Sequence, residues 1–155
     1  KRADHFRAEA REGGGISWNL EDASRFNAFI EPLSVRLESP TEDGRPRARV
    51  RMLPTRKHSN LGDNVHGAVT LALVDIALFA ASHQFGSLEA GHSVTLDLST
   101  QFVGGGRLDE PLDAVVEQVR ETGRLIFLRG LVVQGPGDEH IVLSFAGTIR
   151  KASRK

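Results

Sequence analysis

Residues 58–83 read HSNLGDNVHGAVTLALVDIALFAASH. From Gly67 to Ser82 nearly every residue is apolar or small. That pattern predicts a helix from about Val65 to about His83, buried on all sides. One carboxylate, Asp75, interrupts it. Burying a charge without a partner is costly, so the acid needs an explanation. The helix also needs cover, which the rest of the chain must supply.

The flanking sequence reads as sheet. LSVRLES at 33–39 sets Leu33, Val35 and Leu37 against polar residues, and ARVRML at 48–53 alternates again before Pro54. The turn-rich SPTEDGRP at 39–46 joins them into a hairpin. After the helix, HSVTLDLSTQFV at about 92–103 puts Val94, Leu96, Leu98 and Phe102 on one face and Ser93, Thr95, Asp97 and Ser99 on the other. Three more strands follow, at about 111–121, 124–134 and 139–150, separated by ETGR and QGPGDE. The last alternates through Ile141, Leu143, Phe145 and Ile149, and Asp113 with Glu117 reads as solvent-facing. Short turns between successive strands imply antiparallel pairing. A curved antiparallel sheet wrapped around one long central helix meets both demands, and the class is α+β.

Before the first hairpin, Asp22 or Ser24 can cap a short helix carrying Phe26, Phe29 and Ile30, which Pro32 ends. The charged residues 1–15 close on three glycines and predict a mobile or loosely helical arm. The expected organisation is an N-terminal arm over 1–23 and a single domain over 24–155.

Composition narrows the function. The chain has 155 residues, enough for one domain with a sizeable core. Lys plus Arg and Asp plus Glu number 20 each, a balance that argues against a nucleic-acid binder. The absence of cysteine removes disulfides, thiolate zinc sites and a cysteine nucleophile. It also fits a reducing compartment. No signal segment is visible, and the longest apolar run is shorter than a bilayer span and carries Asp75. The expectation is a soluble, cytoplasmic protein with no membrane span.

The chemistry gathers at the helix and its approach. At His66-Gly67-Ala68 a loop becomes a helix. A helix start carries N–H groups without internal partners and partial positive charge. Gly67 has no side chain to block a ligand, so its N–H can polarise a carbonyl oxygen. The plainer alternative is that Gly67 only eases a tight entry. Asp75 lies a little over two turns further on. A carboxylate in such surroundings is adjustable as a general base or a nucleophile, or it is structural and bonded to a serine or a backbone N–H. Asn60 can orient a water through its amide, or close an Asx turn. His66 can bind a substrate carbonyl, or cap the helix.

Other clusters carry less. His58, His66, His83 and His92 with Asp75 match no zinc spacing, so no metal is expected. GGGR at 104–107 is not followed by a helix and fails as a P-loop, although Arg107 there can touch a charged ligand. The terminal KASRK reads as a solvated tail.

The spacing Asn60, His66-Gly67, Asp75 resembles the motif of hotdog-fold acyl-CoA thioesterases, in particular the PaaI-like, phenylacetyl-CoA-pathway type. Gly91-His92-Ser93-Val94 resembles the segment that opens the strand after the helix in that family. ETGRLIFLRGLVV with VLSFAGTIR resembles its closing hairpin, so the likeness spans about 45–150. The resemblance implies that the Gly67 N–H polarises a thioester carbonyl and that Asp75 activates water or attacks directly. It implies that Asn60 and His66 position the water or thioester, and that Ser93 supports the nucleophile or the aspartate. It also implies a homo-oligomer, a dimer at least and a tetramer by family habit. Asp75 and Ser93 of one chain would face Asn60, His66 and Gly67 of its neighbour. No cofactor is implied, since CoA is part of the substrate. The chain departs from the family's His-Gly-Gly by Ala68, which narrows the approach, and by Asp63, which can touch or repel the ligand.

Three functions compete at this point. The first is hydrolysis of an acyl- or aryl-CoA to the free acid and CoA. A hotdog hydratase or dehydratase ranks below it, because the helix has no Glu and no His follows Asp75 before His83. A non-catalytic acyl-CoA-binding or regulatory module is the third. Phe79, Phe85 and Phe102 either line an acyl pocket or belong to the core.

Overall fold

Three short strands precede the expected first hairpin and extend the architecture at its N-terminal edge. The computed structural model describes residues 6–7, 9–10, 15–88 and 92–153. β1 (Phe6–Arg7) pairs with β3 (Asn19–Leu20), and β2 (Ile16–Ser17) between them joins the main sheet. The described part of the N-terminal segment is therefore extended, not helical. The rest of residues 1–15 lies outside the described residues.

The predicted hairpin forms from β4 (Ser34–Glu38) and β5 (Arg47–Met52), with Val35 opposite Val50 and Leu37 opposite Ala48. Leu33, Val35, Ala48, Val50 and Met52 are buried, while the intervening arginines point outward. Leu37, expected inside with Val35, is exposed near the strand's end. α1 (Gly67–Gln84) follows, then β6 (Val94–Phe102), β7 (Leu112–Glu121), β8 (Leu125–Gln134) and β9 (His140–Arg150). The seven-stranded sheet runs β2-β4-β5-β7-β8-β9-β6, with every pairing antiparallel. This is the expected hotdog arrangement, one long helix in the grip of one curved sheet. β6 does not form a hairpin with β7. Its nine-residue connection, VGGGRLDEP, carries the chain across the sheet, and β6 becomes the edge beside β9.

The helix is not covered on all sides. Leu73, Val74, Ala77 and Leu78 are fully buried, but Leu71, Ala72, Asp75, Ile76 and Phe79 are half-exposed, and Ala68 and His83 lie open. That leaves one half-exposed stripe along the helix, with the acid in the middle. By length and composition α1 could cross a membrane. Its buried face instead forms the centre of the core, where Gly147 of β9 lets Leu78 approach: a Cβ there would lie 2.7 Å from Leu78 Cδ1.

Bulges correct two of the predicted strand faces. In β6 the register shifts between Thr95 and Asp97, so Leu96 is the extra residue. Thr95 and Leu98 then share the helix side, while Val94 and Leu96 are exposed. In β9 the register shifts at the step where Val132 pairs with Leu143 and Val133 with Ile141. Val142 is buried there, and Ile141 is 39% exposed rather than inside. Asp113 is not solvent-facing either. It is buried on the outer face of the sheet, where Arg49 and Arg51 both bond its carboxylate, at 2.8 and 2.7 Å. Near the N-terminus, the helical turn at Phe26–Phe29 is a 3-10 turn whose first flanking residue, Arg25, supplies no side-chain cap. Asp22 bonds Ser24 instead. At the other end, Lys151 of the supposed solvated tail bonds Glu121.

Candidate active site

The loop before α1 is built from its own polar groups. Asn60 Oδ1 accepts from the Gly62 and Asn64 N–H groups, at 2.9 and 3.1 Å, and the Asn60 N–H donates to the Asn64 carbonyl. The Asx-turn alternative is thus realised. It uses the amide oxygen and leaves the Asn60 NH2 with no hydrogen bond among the described residues, so Asn60 meets a ligand as a donor. Asp63 closes the turn in the left-handed region, φ 58, and is exposed. Ser59 and Val65 bridge across the base of the loop.

His66 caps the helix. Its Nδ1 accepts from the Ala68 N–H at 3.0 Å, and its carbonyl accepts from the Val69 and Thr70 N–H groups. A ring nitrogen that accepts carries no proton, so the neutral ring bears its hydrogen on Nε2, which is left to donate outward. The helix's early N–H groups are therefore used, except one. The Gly67 N–H has no partner among the described residues. It stands at the positive end of the macrodipole of an 18-residue helix.

The His66 N–H donates to the carbonyl of His58 at 2.8 Å. His58 is buried: its Nδ1 accepts from the Thr55 N–H, and its Nε2 donates to the Phe29 carbonyl at 2.6 Å. This histidine, read only as a rejected metal ligand in the sequence, fixes the approach to the site. The glycine loop packs from the other side. A Cβ at Gly105 would come within 3.1 Å of the Asn64 side chain, and one at Gly106 within 3.0 Å of Val65. The Val65 N–H donates to the Gly106 carbonyl, and Asn64 bridges to Arg107. The Arg107 backbone is held at both ends by the buried Gln134, while its guanidinium lies half-exposed, 3.6 Å from Glu110. Arg107 thus stands beside the loop that leads to Gly67.

Asp75 lies on the half-exposed stripe of α1, and its Oδ1 accepts from the Thr95 hydroxyl at 2.7 Å. Oδ2 has no partner among the described residues. Ser93, assigned that support by resemblance, is half-buried and makes no side-chain hydrogen bond among the described residues. The β6 bulge turns Thr95 to the helix instead. Gly91 of the same segment lies outside the described residues. Ala68 is exposed just past Gly67. Phe85 and Phe79 are partly buried against the core, but Phe102 is not core: it is 60% exposed with its ring against Gly67. The described residues hold no group of three His, Asp or Glu able to bind a metal.

The arrangement offers one free N–H donor at a helix start, outward donors from Asn60 and His66, and a carboxylate with one oxygen fixed and one free. Such parts suit addition to a polarised carbonyl. Residues 62–141, about half of the chain, match the family model described as the thioesterase superfamily. No curated protein matches the sequence. Among solved structures, the zebrafish thioesterase superfamily member 2 is similar, with TM-score 0.66 and 17% identity, covering 83% of this chain and 88% of that one. The E. coli PaaI protein from the phenylacetic acid degradation operon has TM-score 0.61 and 19% identity, covering 77% and 80%. A Streptococcus pneumoniae thioesterase protein with coenzyme A has TM-score 0.62 and 19% identity, covering 78% and 88%.

Proposed function

The chain belongs to the thioesterase superfamily, and from that premise we propose that it hydrolyses the thioester of an acyl- or aryl-CoA to the free acid and CoA. The observation that carries the proposal is the unpartnered Gly67 N–H at the start of α1. It is the one early helix donor left for a substrate carbonyl. As the thioester carbon becomes tetrahedral, charge grows on that oxygen, and a fixed N–H stabilises it more than the ground state. Asp75 acts as general base or as nucleophile. As a base it takes a proton from water while the water oxygen bonds to the carbonyl carbon. The C–S bond then breaks, and the sulfur leaves as the CoA thiol after protonation. Asn60 and His66 donate to the thioester or the water, Ala68 and Asp63 border the approach, and Arg107 meets the charged end of CoA. No cofactor or metal enters this reaction.

One chain does not complete this site. Gly67 and Asp75 are eight residues apart on α1, about 12 Å along its axis. A carbonyl held by Gly67 and the free oxygen of Asp75 in the same chain would have to line up almost straight along the helix, so the acid is better placed to serve the Gly67 of a second chain. β6 is an edge strand with exposed Val94, Leu96 and Phe102, and the apolar stripe of α1 beside it is half-exposed. Asp75 is tied to Thr95 near the start of β6, and Gly67 touches Phe102 at its end. Two copies pairing antiparallel through β6 about Leu98 and Ser99 would set Thr95 of one opposite Phe102 of the other. Each Asp75 would then come beside the other chain's Gly67. The minimal active unit is this dimer, two of which form a tetramer, in a PaaI-like enzyme of the cytoplasm.

The test is free-thiol release from a panel of acyl- and aryl-CoAs. The wild type should release CoA from at least one of them. Asp75→Asn should lower kcat by about 100-fold or more, the usual scale for a general base. Binding without release from any acyl-CoA would leave a non-catalytic acyl-CoA-binding module. Release unchanged in Asp75→Asn would remove Asp75 from the mechanism.

A further inference from the structure

Phe102 is the last residue of β6, paired with Leu143 of β9. It faces the helix side of the sheet, yet 60% of it is exposed, because α1 begins at Gly67 and none of the described residues beyond covers the ring. The ring lies on Gly67 itself: a Cβ built there would sit 3.0 Å from Cε1 and 3.5 Å from Cζ. The backbone below is held firmly. The Val103 and Gly104 N–H groups both donate to the Val142 carbonyl, at 2.9 and 3.1 Å. The glycine loop then docks against Asn64 and Val65. The ring and the free Gly67 N–H thus keep one fixed relation, set by rigid elements of the same chain.

We propose that Phe102 determines acyl specificity, its ring forming the wall beside the thioester carbonyl that admits linear or flat acyl groups and rejects branching on the carbon next to it. The inference rests on the hydrolase reading above. A carbonyl oxygen about 2.9 Å from the Gly67 nitrogen brings the groups on the carbonyl carbon within reach of a ring that touches the Gly67 backbone. Of the two groups there, the acyl carbon suits an apolar wall. The sulfur side is the same in every CoA thioester, so only the acyl side gives such a wall something to select. A straight chain or an aryl ring can lie along Phe102. A methyl branch would run into a ring already packed on Gly67 and unable to retreat that way.

The test compares kcat/KM for butyryl-CoA and isobutyryl-CoA in the wild type, Phe102→Ala and Phe102→Leu, with light scattering to follow the assembly. The wild type should favour the straight chain by about tenfold or more, the scale of one misfitted methyl in an apolar pocket. Phe102→Ala should bring the ratio within about threefold by raising the branched rate, with Phe102→Leu between. If Phe102→Ala disrupts the assembly, the milder Phe102→Leu decides. A wild type that hydrolyses both equally, or a ratio unchanged in the intact variants, overturns the assignment of Phe102 and leaves the hydrolase reading standing. A wild type that hydrolyses no acyl-CoA overturns both.

Discussion

Thr95 fixes one oxygen of Asp75 and leaves the other free. A base or nucleophile that must meet a carbonyl from a second chain gains from being held in one rotamer, because misplacement costs rate rather than binding. In the proposed reaction Thr95 is therefore a positioning residue. Thr95→Val keeps the shape and removes the hydroxyl. It should lower kcat by about 10- to 100-fold, the range of a hydrogen bond to a charged group, with KM little changed. Thr95→Ser should restore most of the loss. A kcat equal to wild type in Thr95→Val would show that the bond does not position the acid. His66 and Asn60 are constrained in the same spirit: each spends its acceptor on the local backbone, so both face a ligand only as donors.

At the scale of elements, the turn between β8 and β9 is clipped to β5 by Asp138, whose two oxygens accept from Arg49 at 2.9 and 2.6 Å. Arg49 also bonds Asp113 and Glu38, which ties β4, β5, β7 and the turn into one outer layer. The Arg49 hydrogen bonds hold the Asp138 carboxyl below the usual range despite some desolvation. A carboxyl depressed in the folded state contributes stability above its unfolded value, near 4, and loses it as pH falls through the folded one. Asp138→Asn should melt below wild type at pH 7, and the gap should close toward pH 3. Asn tolerates the left-handed backbone that Asp138 adopts, so the comparison isolates the charge. A gap independent of pH would assign the loss to packing. These strands also show what could be read in advance. The hairpin of β4 with β5, the helix and the order of β7, β8 and β9 follow from periodicity and turn residues, because each is a local signal. The bulges at Leu96 and Val142 are not local in that sense: alternation in the sequence runs straight through them, and only pairing with the neighbouring strand shows the extra residue. Alternation alone groups Thr95 with Ser93, Asp97 and Ser99 opposite the apolar face, so nothing in the sequence marks it as the partner of Asp75. Asp113 looked exposed for a related reason, since the arginines that bury it come from another strand.

For the whole molecule, the proposed site turns on one separation: Gly67 and Asp75 lie about 12 Å apart along one helix. The sequence placed Asn60, His66, Gly67 and Asp75 in one stretch, but nearness in sequence is not nearness in reaction geometry. A dimer through β6 makes a prediction that a one-chain site does not. Gly67→Pro deletes the free N–H and little else: proline is accepted at the first helical position, and His66 already has the extended backbone, φ −60 and ψ 136, that a residue before proline needs. The added ring carbon would stand 3.0 Å from the Phe102 ring, a contact that a shift of a few tenths of an ångström relieves. Gly67→Pro and Asp75→Asn should each be nearly inactive alone. In a mixed dimer with two-fold symmetry, one site carries both lesions and the other carries neither. Unfolding and refolding an equal mixture should therefore recover about a quarter of the wild-type activity, since half of the random dimers are mixed and each has one intact site. Refolding either variant alone should recover none. A mixture as inactive as its parents, with subunit exchange verified by mass spectrometry, would place both halves of the site in one chain and remove the reason for pairing through β6.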